Sequence, residues 1–285
     1  MRITDAIELF TSYLQHERNA SERTFINYRL RLSRLQEHLQ DKEVEQITSM
    51  DILNRRKRLW QKAISQKTIN YHIIAVRSLF KFLIKNDIKV LNPVKLELSK
   101  IRNKEVSYLT DEEVKSLLLA PVVLWGKKYK RDLAIMYMLY WSWLRLSELL
   151  WLKKTDLPAE GNQFQIVGKW GKLRSMFITK EAKKKVTEYL MSRDDECVYI
   201  FTNKFCEPLG KVSVEKIVKK YAALAGIAKK VTPHTLRHSF ATSLLKKWAD
   251  IRSVQMLLGH SSITTTQVYT HVSDTQLEKA HDLLN

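Results

Sequence analysis

The chain has 285 residues, of which 45% are apolar, and it carries a formal net charge of +19 with an isoelectric point near 9.8. This length and composition allow one large or two modest domains with a sizeable core, and no apolar run approaches the ~18 residues that a membrane span needs. The N-terminus lacks a signal-peptide pattern. The chain has two cysteines, Cys197 and Cys206, which fit a reducing cytosol. They are not a close pair of the kind that suggests a zinc site. We therefore expect a cytoplasmic protein without membrane insertion.

The positive charge is distributed along the whole chain. The residues before Val106 hold 21 Lys+Arg and 12 Asp+Glu, a balance of +9, and the rest hold 28 and 18, a balance of +10. Basic charge on both halves is typical of a protein that contacts a polyanion from two sides, which favours nucleic acid as the partner. A solvated basic surface and a ribosome-associated protein are the alternatives.

The first 88 residues are predicted to form a helical domain. Apolar positions spaced by three and four residues indicate four helices. Residues 89–108 interrupt the pattern with several cations and with Asn92-Pro93, which disfavours helix, and predict a linker. The predicted helices are Asp5–Glu17, Ser21–Leu39, Ser49–Lys62 and one whose apolar face holds Ile69, Ile73, Val76, Phe80 and Leu83.

Residues 109–285 are predicted to form a larger domain that is mainly α with a small β-sheet. Thr110 and Glu113 make a capping-box pattern at a helix start, and another helix is predicted over Lys130–Leu150. A hairpin is predicted from Phe164–Val167 and Leu173–Ile178, with a further strand at Val198–Thr202. The remaining predicted helices lie near 180–192, 213–224, 233–247, 250–258, 262–270 and 274–284.

The stretch TPHTLRHSF, residues 232–240, could bind an anion. Thr232 and Pro233 suit the N-cap and first position of a helix, which places His234 in the first turn and Arg237 near it. Free N–H groups and a guanidinium there would attract a phosphate. The alternatives are a capped surface helix with a core-facing His238, or zinc bound at His234 and His238, although the pattern is not HExxH.

Two further motifs hold candidate residues. In WLRLSELL, Arg145 lies among apolar neighbours and three residues before Glu148. Burying an arginine is costly unless it is paired, so the two residues could form a structural ion pair. Alternatively, Arg145 would bind a phosphate and Glu148 would support it. The stretch LLGHSSITTTQVYTHV holds His260 and Tyr269. Taken alone, Tyr269 is better explained as a half-buried aromatic residue than as a nucleophile.

Together these motifs resemble the tyrosine recombinases of the phage integrase family. The resemblance rests on RxSEL around Arg145, GKxxK around Lys169, HxLRHSFAT and LGHSSITTTQVYTH, covers nearly the whole chain and is closest in size to Xer-type recombinases. It implies a helical, SAM-like core-binding domain followed by a catalytic domain. It also implies six site residues, without metal or cofactor: Arg145, Lys169, His234, Arg237, His260 and Tyr269.

The resemblance gives each of these residues a role. Tyr269 would attack the scissile phosphate and form a 3′-phosphotyrosyl link, while Arg145 and Arg237 would stabilise the charged transition state. Lys169 would protonate the 5′-hydroxyl leaving group. The two histidines would assist proton transfer (His234) and hydrogen-bond the phosphate (His260).

The resemblance also implies the partners. Two domains would clamp double-stranded DNA, and four identical or paralogous protomers would assemble on two recombination sites. A regulatory protein is a further candidate partner. The segment Asp274–Leu284 would pack on a neighbouring protomer or, alternatively, on its own. The expected role is chromosome dimer resolution during chromosome partition and cell division, and the alternatives are a mobile-element integrase and a non-catalytic DNA-binding relative.

Tryptophan stands where the family carries glycine. The chain has only 7 glycines, whereas average usage would give about 20. By comparison with the family's TGLRxSEL, ELxGL, GKGxK and GADIR patterns, four tryptophans replace glycines, and Trp60 and Trp141 are further candidates. The chain's tryptophans are Trp60, Trp125, Trp141, Trp143, Trp151, Trp170 and Trp248, and the four replacements are Trp143, Trp151, Trp170 and Trp248.

A different meaning of the UGA codon is one explanation for this pattern. Some bacteria read UGA as glycine, and other codes read it as tryptophan. If a gene that uses UGA for glycine is translated with a code that reads UGA as tryptophan, tryptophan appears at each glycine that UGA encodes. This explanation fits the otherwise intact set of site residues. The alternative is genuine tryptophans that local repacking tolerates.

Overall fold

The computed structural model describes residues 1–101, 107–126, 128–167 and 173–246. Contacts divide the chain into an N-terminal unit, Met1–Lys104, and a C-terminal unit, Glu105–Asn285. The described residues are mainly helical with one two-stranded antiparallel sheet, as the sequence predicts. No helix among them is long and apolar enough to cross a membrane.

Four helices form the N-terminal unit, as predicted. Their first turns are capped by side chains: Ser21, Thr48 and Ser65 each accept a hydrogen bond from a backbone N–H three residues on. The predicted apolar face of the fourth helix is fully buried, with Phe80 and Leu83 at 0% exposure. The helices are α1 (Ile3–His16), α2 (Glu22–Leu39), α3 (Ser49–Gln61) and α4 (Gln66–Lys85).

The first part of the predicted linker packs on the N-terminal unit. Pro93–Lys95 forms a short 3₁₀ turn, and Leu96 is buried. Asn70 on α4, itself buried, donates to the carbonyl of Ser99 at 2.8 Å and accepts from its N–H at 3.1 Å. A buried amide needs such partners, so the chain up to Ser99 is held against α4.

The C-terminal unit is built around the helix Tyr129–Trp141 (α6), whose Ala134, Ile135, Met136 and Met138 are all 0% exposed. The predicted capping box of Thr110 and Glu113 is present at the start of the helix Asp111–Leu124 (α5). The hairpin pairs Val167 with Leu173 in register. The elements are α5 (Asp111–Leu124), α6 (Tyr129–Trp141), α7 (Leu146–Leu150), β1 (Gln163–Val167), β2 (Leu173–Phe177), α8 (Lys180–Leu190), α9 (Lys211–Leu224) and α10 (Pro233–Lys246).

Two predicted elements are wrong. The single helix over Lys130–Leu150 is two helices, because the chain leaves α6 after Trp141 and restarts α7 at Leu146. The predicted strand Val198–Thr202 makes only isolated bridges. The predicted helices near 250–258, 262–270 and 274–284 lie outside the described residues.

The two cysteines are joined, which differs from the interpretation that they merely suit a reducing cytosol. Cys197 and Cys206 form a disulfide, with their Cα atoms 5.1 Å apart, inside the usual range for such a bond. The turn at Asn203, whose side chain accepts hydrogen bonds from the backbone N–H of Phe205 and Glu207, brings them together.

Several tryptophans lie in environments that suit a smaller residue. Trp125, which ends α5, and Trp143 have φ of +42° and +55°, in the left-handed region that costs a non-glycine residue about 1–2 kcal/mol. Trp60, Trp125 and Trp151 are 62–70% exposed. The buried indole N–H groups of Trp141 and Trp143 have no hydrogen-bond partner among the described residues.

Candidate active site

Arg145 lies at the N-terminus of α7 and is held by Glu148. The Arg145 backbone N–H donates to Glu148 Oε2 at 2.7 Å, and its guanidinium Nη1 donates to Glu148 Oε1 at 2.7 Å. The Glu148 side chain is 11% exposed, whereas that of Arg145 is 40% exposed. A carboxylate that fixes both the backbone and the head of one arginine aims an accessible guanidinium in a defined direction.

Arg237 lies on α10 and contacts the segment that precedes Arg145. Thr232 caps this helix by accepting from the Thr235 N–H at 3.1 Å, and Arg237 lies in its second turn with only 8% exposure. Its Nη1 donates to the backbone carbonyl of Trp143. That carbonyl belongs to the break between α6 and α7, two residues before Arg145, so Arg237 contacts the backbone segment that leads into Arg145.

Two histidines of α10 lie near Arg237 in sequence. His234 is exposed in the first turn of the helix, one turn before Arg237. His238 is half-buried, and burial, helped by the nearby His234 and Arg237, lowers its pKa. No group of three or more His, Cys, Asp or Glu side chains that could hold a metal ion occurs in the part of the chain that the structure describes.

Arg174, on β2, is a site residue that sequence reasoning missed. Its Nη1 lies 3.5 Å from Glu148 Oε1, the same oxygen that Arg145 contacts, and its Nη2 lies 3.2 Å from Met176 Sδ. Burial lowers the pKa of Arg174, Glu148 opposes that shift, and the charge of Arg145 adds to it. The signal in the sequence was its position five residues after Lys169 in the hairpin.

Three predicted site residues lie outside the described residues: Lys169, His260 and Tyr269. The described part of the site therefore has two guanidinium groups on the Glu148 carboxylate, those of Arg145 and Arg174. The guanidinium of Arg237 contacts the backbone just before Arg145, and the exposed imidazole of His234 lies on the same helix as Arg237. Arginine forks match the oxygens of a phosphodiester, and the single Glu148 carboxylate leaves an excess of positive charge there. Chemically, this arrangement suits the binding of a phosphate and the stabilisation of a more highly charged transition state.

A second basic cluster lies in the N-terminal unit. His72 on α4 is 5% exposed, and burial together with the charges of Arg55, Arg34 and Arg31 lowers its pKa to about 4. Burial, partly opposed by Glu37, lowers the pKa of Arg55, and its Nε has no hydrogen-bond partner among the described residues. Cations crowded without enough carboxylates indicate a surface that a polyanion would stabilise.

Family models match most of the chain. Residues 107–276 match the model described as "Phage integrase family", and residues 7–87 match "Phage integrase, N-terminal SAM-like domain". The chain belongs to the phage integrase family. Its relatives include Xer tyrosine recombinases. It is 30% identical to tyrosine recombinase XerC of Pediococcus pentosaceus over 97% of this chain and 96% of the relative.

Further relatives and solved structures agree. Tyrosine recombinase XerD of Oceanobacillus iheyensis is 35% identical, covering 96% of this chain and 95% of the relative. A crystal structure of XerA recombinase is 30% identical with a TM-score of 0.55, covering 99% of this chain and 98% of that one. A structure of XerH bound to palindromic difH substrate is 25% identical with a TM-score of 0.75, covering 94% of this chain and 81% of that one. The chain is therefore a tyrosine-type, site-specific recombinase of the Xer kind.

Proposed function

We propose that this recombinase cuts and rejoins duplex DNA with Tyr269 as the nucleophile, and that it resolves chromosome dimers. The observation that supports the proposal is that Arg237 donates to the carbonyl of residue 143, two residues before Arg145, whose guanidinium Glu148 holds. Two arginines at one point can neutralise the non-bridging oxygens of a phosphodiester, which is the task that metal ions perform in other nucleases.

The proposed reaction exchanges one phosphodiester for another. The Tyr269 phenol oxygen attacks phosphorus, the bond to the 5′ oxygen breaks, and a 3′-phosphotyrosyl ester remains on the protein. His234 assists the removal of the proton that the Tyr269 phenol loses, and Lys169 gives its own proton to the departing 5′ oxygen. His260 hydrogen-bonds the phosphate. A 5′-hydroxyl from another strand then reverses the step, so religation needs no external energy.

DNA binding is supported by the charge of both units. The arginines around His72 in the N-terminal unit, Arg31, Arg34 and Arg55, would neutralise backbone phosphates, and the site arginines would hold the scissile one. XerH, one of the similar structures, is bound to its DNA substrate. We propose that four protomers assemble on two sites in the cytoplasm, with Asp274–Leu284 packing on a neighbour and a regulatory partner acting on the assembly.

A suicide substrate tests this function. DNA with a nick near the cleavage point releases a short fragment after cleavage and traps the covalent intermediate. The purified protein should give a DNA adduct that survives denaturing electrophoresis. Tyr269→Phe, which loses only the phenolic oxygen, should bind DNA equally well and give no adduct.

The outcome that contradicts the proposal is specific. Equal DNA binding by both proteins with no adduct from either would indicate a non-catalytic DNA-binding relative, and an adduct from Tyr269→Phe would remove Tyr269 from the role of nucleophile. A mobile-element integrase is the other candidate role, and recombination between a mobile-element end and an unrelated target would favour it.

A further inference from the structure

Residue 143 connects the two proposed catalytic arginines. Its carbonyl oxygen accepts a hydrogen bond from Arg237 Nη1, and Arg145 follows two residues later. Because Arg237 is only 8% exposed, its side chain is packed on most sides, and the carbonyl of residue 143 is one of the groups that hold its guanidinium.

The carbonyl reaches Arg237 because the backbone leaves the helical path. Residue 143 has φ of +55°, whereas the α6 helix that precedes it would require a negative φ. We infer that residue 143 is a positioning residue for Arg237, and that its natural identity is glycine, the residue that takes this conformation without strain. The positioning half of this inference rests on the proposed function.

Tryptophan is poorly suited to position 143. Its ring lies between Phe240 and Phe177, at centroid distances of 5.3 and 6.1 Å, and its buried indole N–H has no partner among the described residues. Nothing in the hydrogen bond to Arg237 uses the side chain, since only the backbone carbonyl takes part.

The same mismatch recurs away from the site. Trp125 is also left-handed, with φ of +42°, and is 68% exposed at the end of α5, a position that glycine commonly occupies. Trp141 has a second orphaned indole. One cause accounts for all of these if UGA codons for glycine are translated as tryptophan in this sequence.

The nucleotide sequence tests the identity. UGA at codons 125 and 143 is the expected result, and UGG at either would overturn the assignment of glycine by recoding.

Protein variants test the positioning. Trp143→Gly should raise the rate of single-turnover cleavage at saturating DNA on the order of 10-fold. Trp143→Asn should give the next largest increase in this rate, and Trp143→Ala the smallest. Alanine removes the bulky ring but tolerates left-handed backbone poorly. The matched control is Trp125→Gly, which should raise the melting temperature by roughly 2–4 °C without changing that cleavage rate.

The outcomes distinguish the positioning role of residue 143 from the recombinase function. Equal gains from Trp143→Gly and Trp143→Ala, or no gain from either in a protein that cleaves DNA, would overturn the positioning role while leaving the recombinase function intact. Melting temperatures that rise with glycine while no variant forms an adduct would instead contradict the proposed function and support the left-handed conformation of residue 143.

Discussion

At the scale of single residues, Glu148 organises the described part of the site. One of its oxygens contacts the guanidinium groups of both Arg145 and Arg174, at 2.7 and 3.5 Å. Glu148 is largely buried, so its charge is weakly screened by solvent and its loss would leave two guanidiniums repelling each other. We expect Arg174 to act on catalysis through Glu148 and Arg145 rather than by touching DNA.

Arg174→Met should therefore lower the single-turnover cleavage rate by on the order of 10- to 100-fold, because small displacements of a catalytic group are costly. When Arg174→Met is combined with Glu148→Gln, the increase in the activation free energy of cleavage should be smaller than the sum of the two single increases. Both changes remove the same contact. The measurement is a double-mutant cycle at saturating DNA. Arg193→Met is the matched control: it breaks a similar pair with Asp195 and should lower stability without slowing cleavage. Fully additive effects would contradict the shared contact.

His72 makes the stability of the N-terminal unit depend on pH. Its pKa is about 4 in the folded protein and near 6.5 when unfolded, so the unfolded chain binds the extra proton between these values. The stabilisation is present above pH 6.5 and is lost as the pH falls towards 4, by on the order of 3 kcal/mol. Urea unfolding of the full chain, compared with His72→Gln, measures it. The same loss of stability in both proteins would show that other groups cause it.

At the scale of elements, the hairpin carries the proposed general acid. Lys169 lies in the five residues that connect β1 and β2. Lys169→Ala should slow cleavage of normal DNA but spare a substrate whose 5′ oxygen is replaced by sulfur, because a thiolate leaves without a proton. Suicide-substrate rates on the two DNAs measure this. Equal slowing on both would indicate that Lys169 only shapes the hairpin.

Sequence patterns predicted the elements that depend on periodicity and capping. The apolar face of α4 and the capping box of Thr110 and Glu113 are local signals, and both are present. The break between α6 and α7 could not be predicted, because the apolar residues continue through it and tryptophan gives no sign of left-handed backbone. Arg174 was also missed, since its ion pair with Glu148 joins residues 26 positions apart and no local pattern indicates it.

At the scale of the whole molecule, the net charge of +19 should dominate the affinity for DNA. Each phosphate contact releases about 0.9 counterion, so binding should weaken steeply as salt rises. Arg34→Ala with Arg55→Ala should weaken binding similarly for all sequences and reduce the slope of log K against log salt by up to about 2. Titrations at several salt concentrations measure this, and an unchanged slope would place the DNA contacts elsewhere.

The most direct test of the account is to identify the residue that joins DNA. The adduct from a suicide substrate is digested with protease, and the peptide that carries the nucleotide is sequenced by mass spectrometry. We expect the modification on Tyr269 alone, with no adduct when Arg145 and Arg237 are both changed to alanine although DNA still binds. Attachment to any other residue, or an undiminished adduct without the two arginines, would contradict the proposal that they stabilise attack by Tyr269.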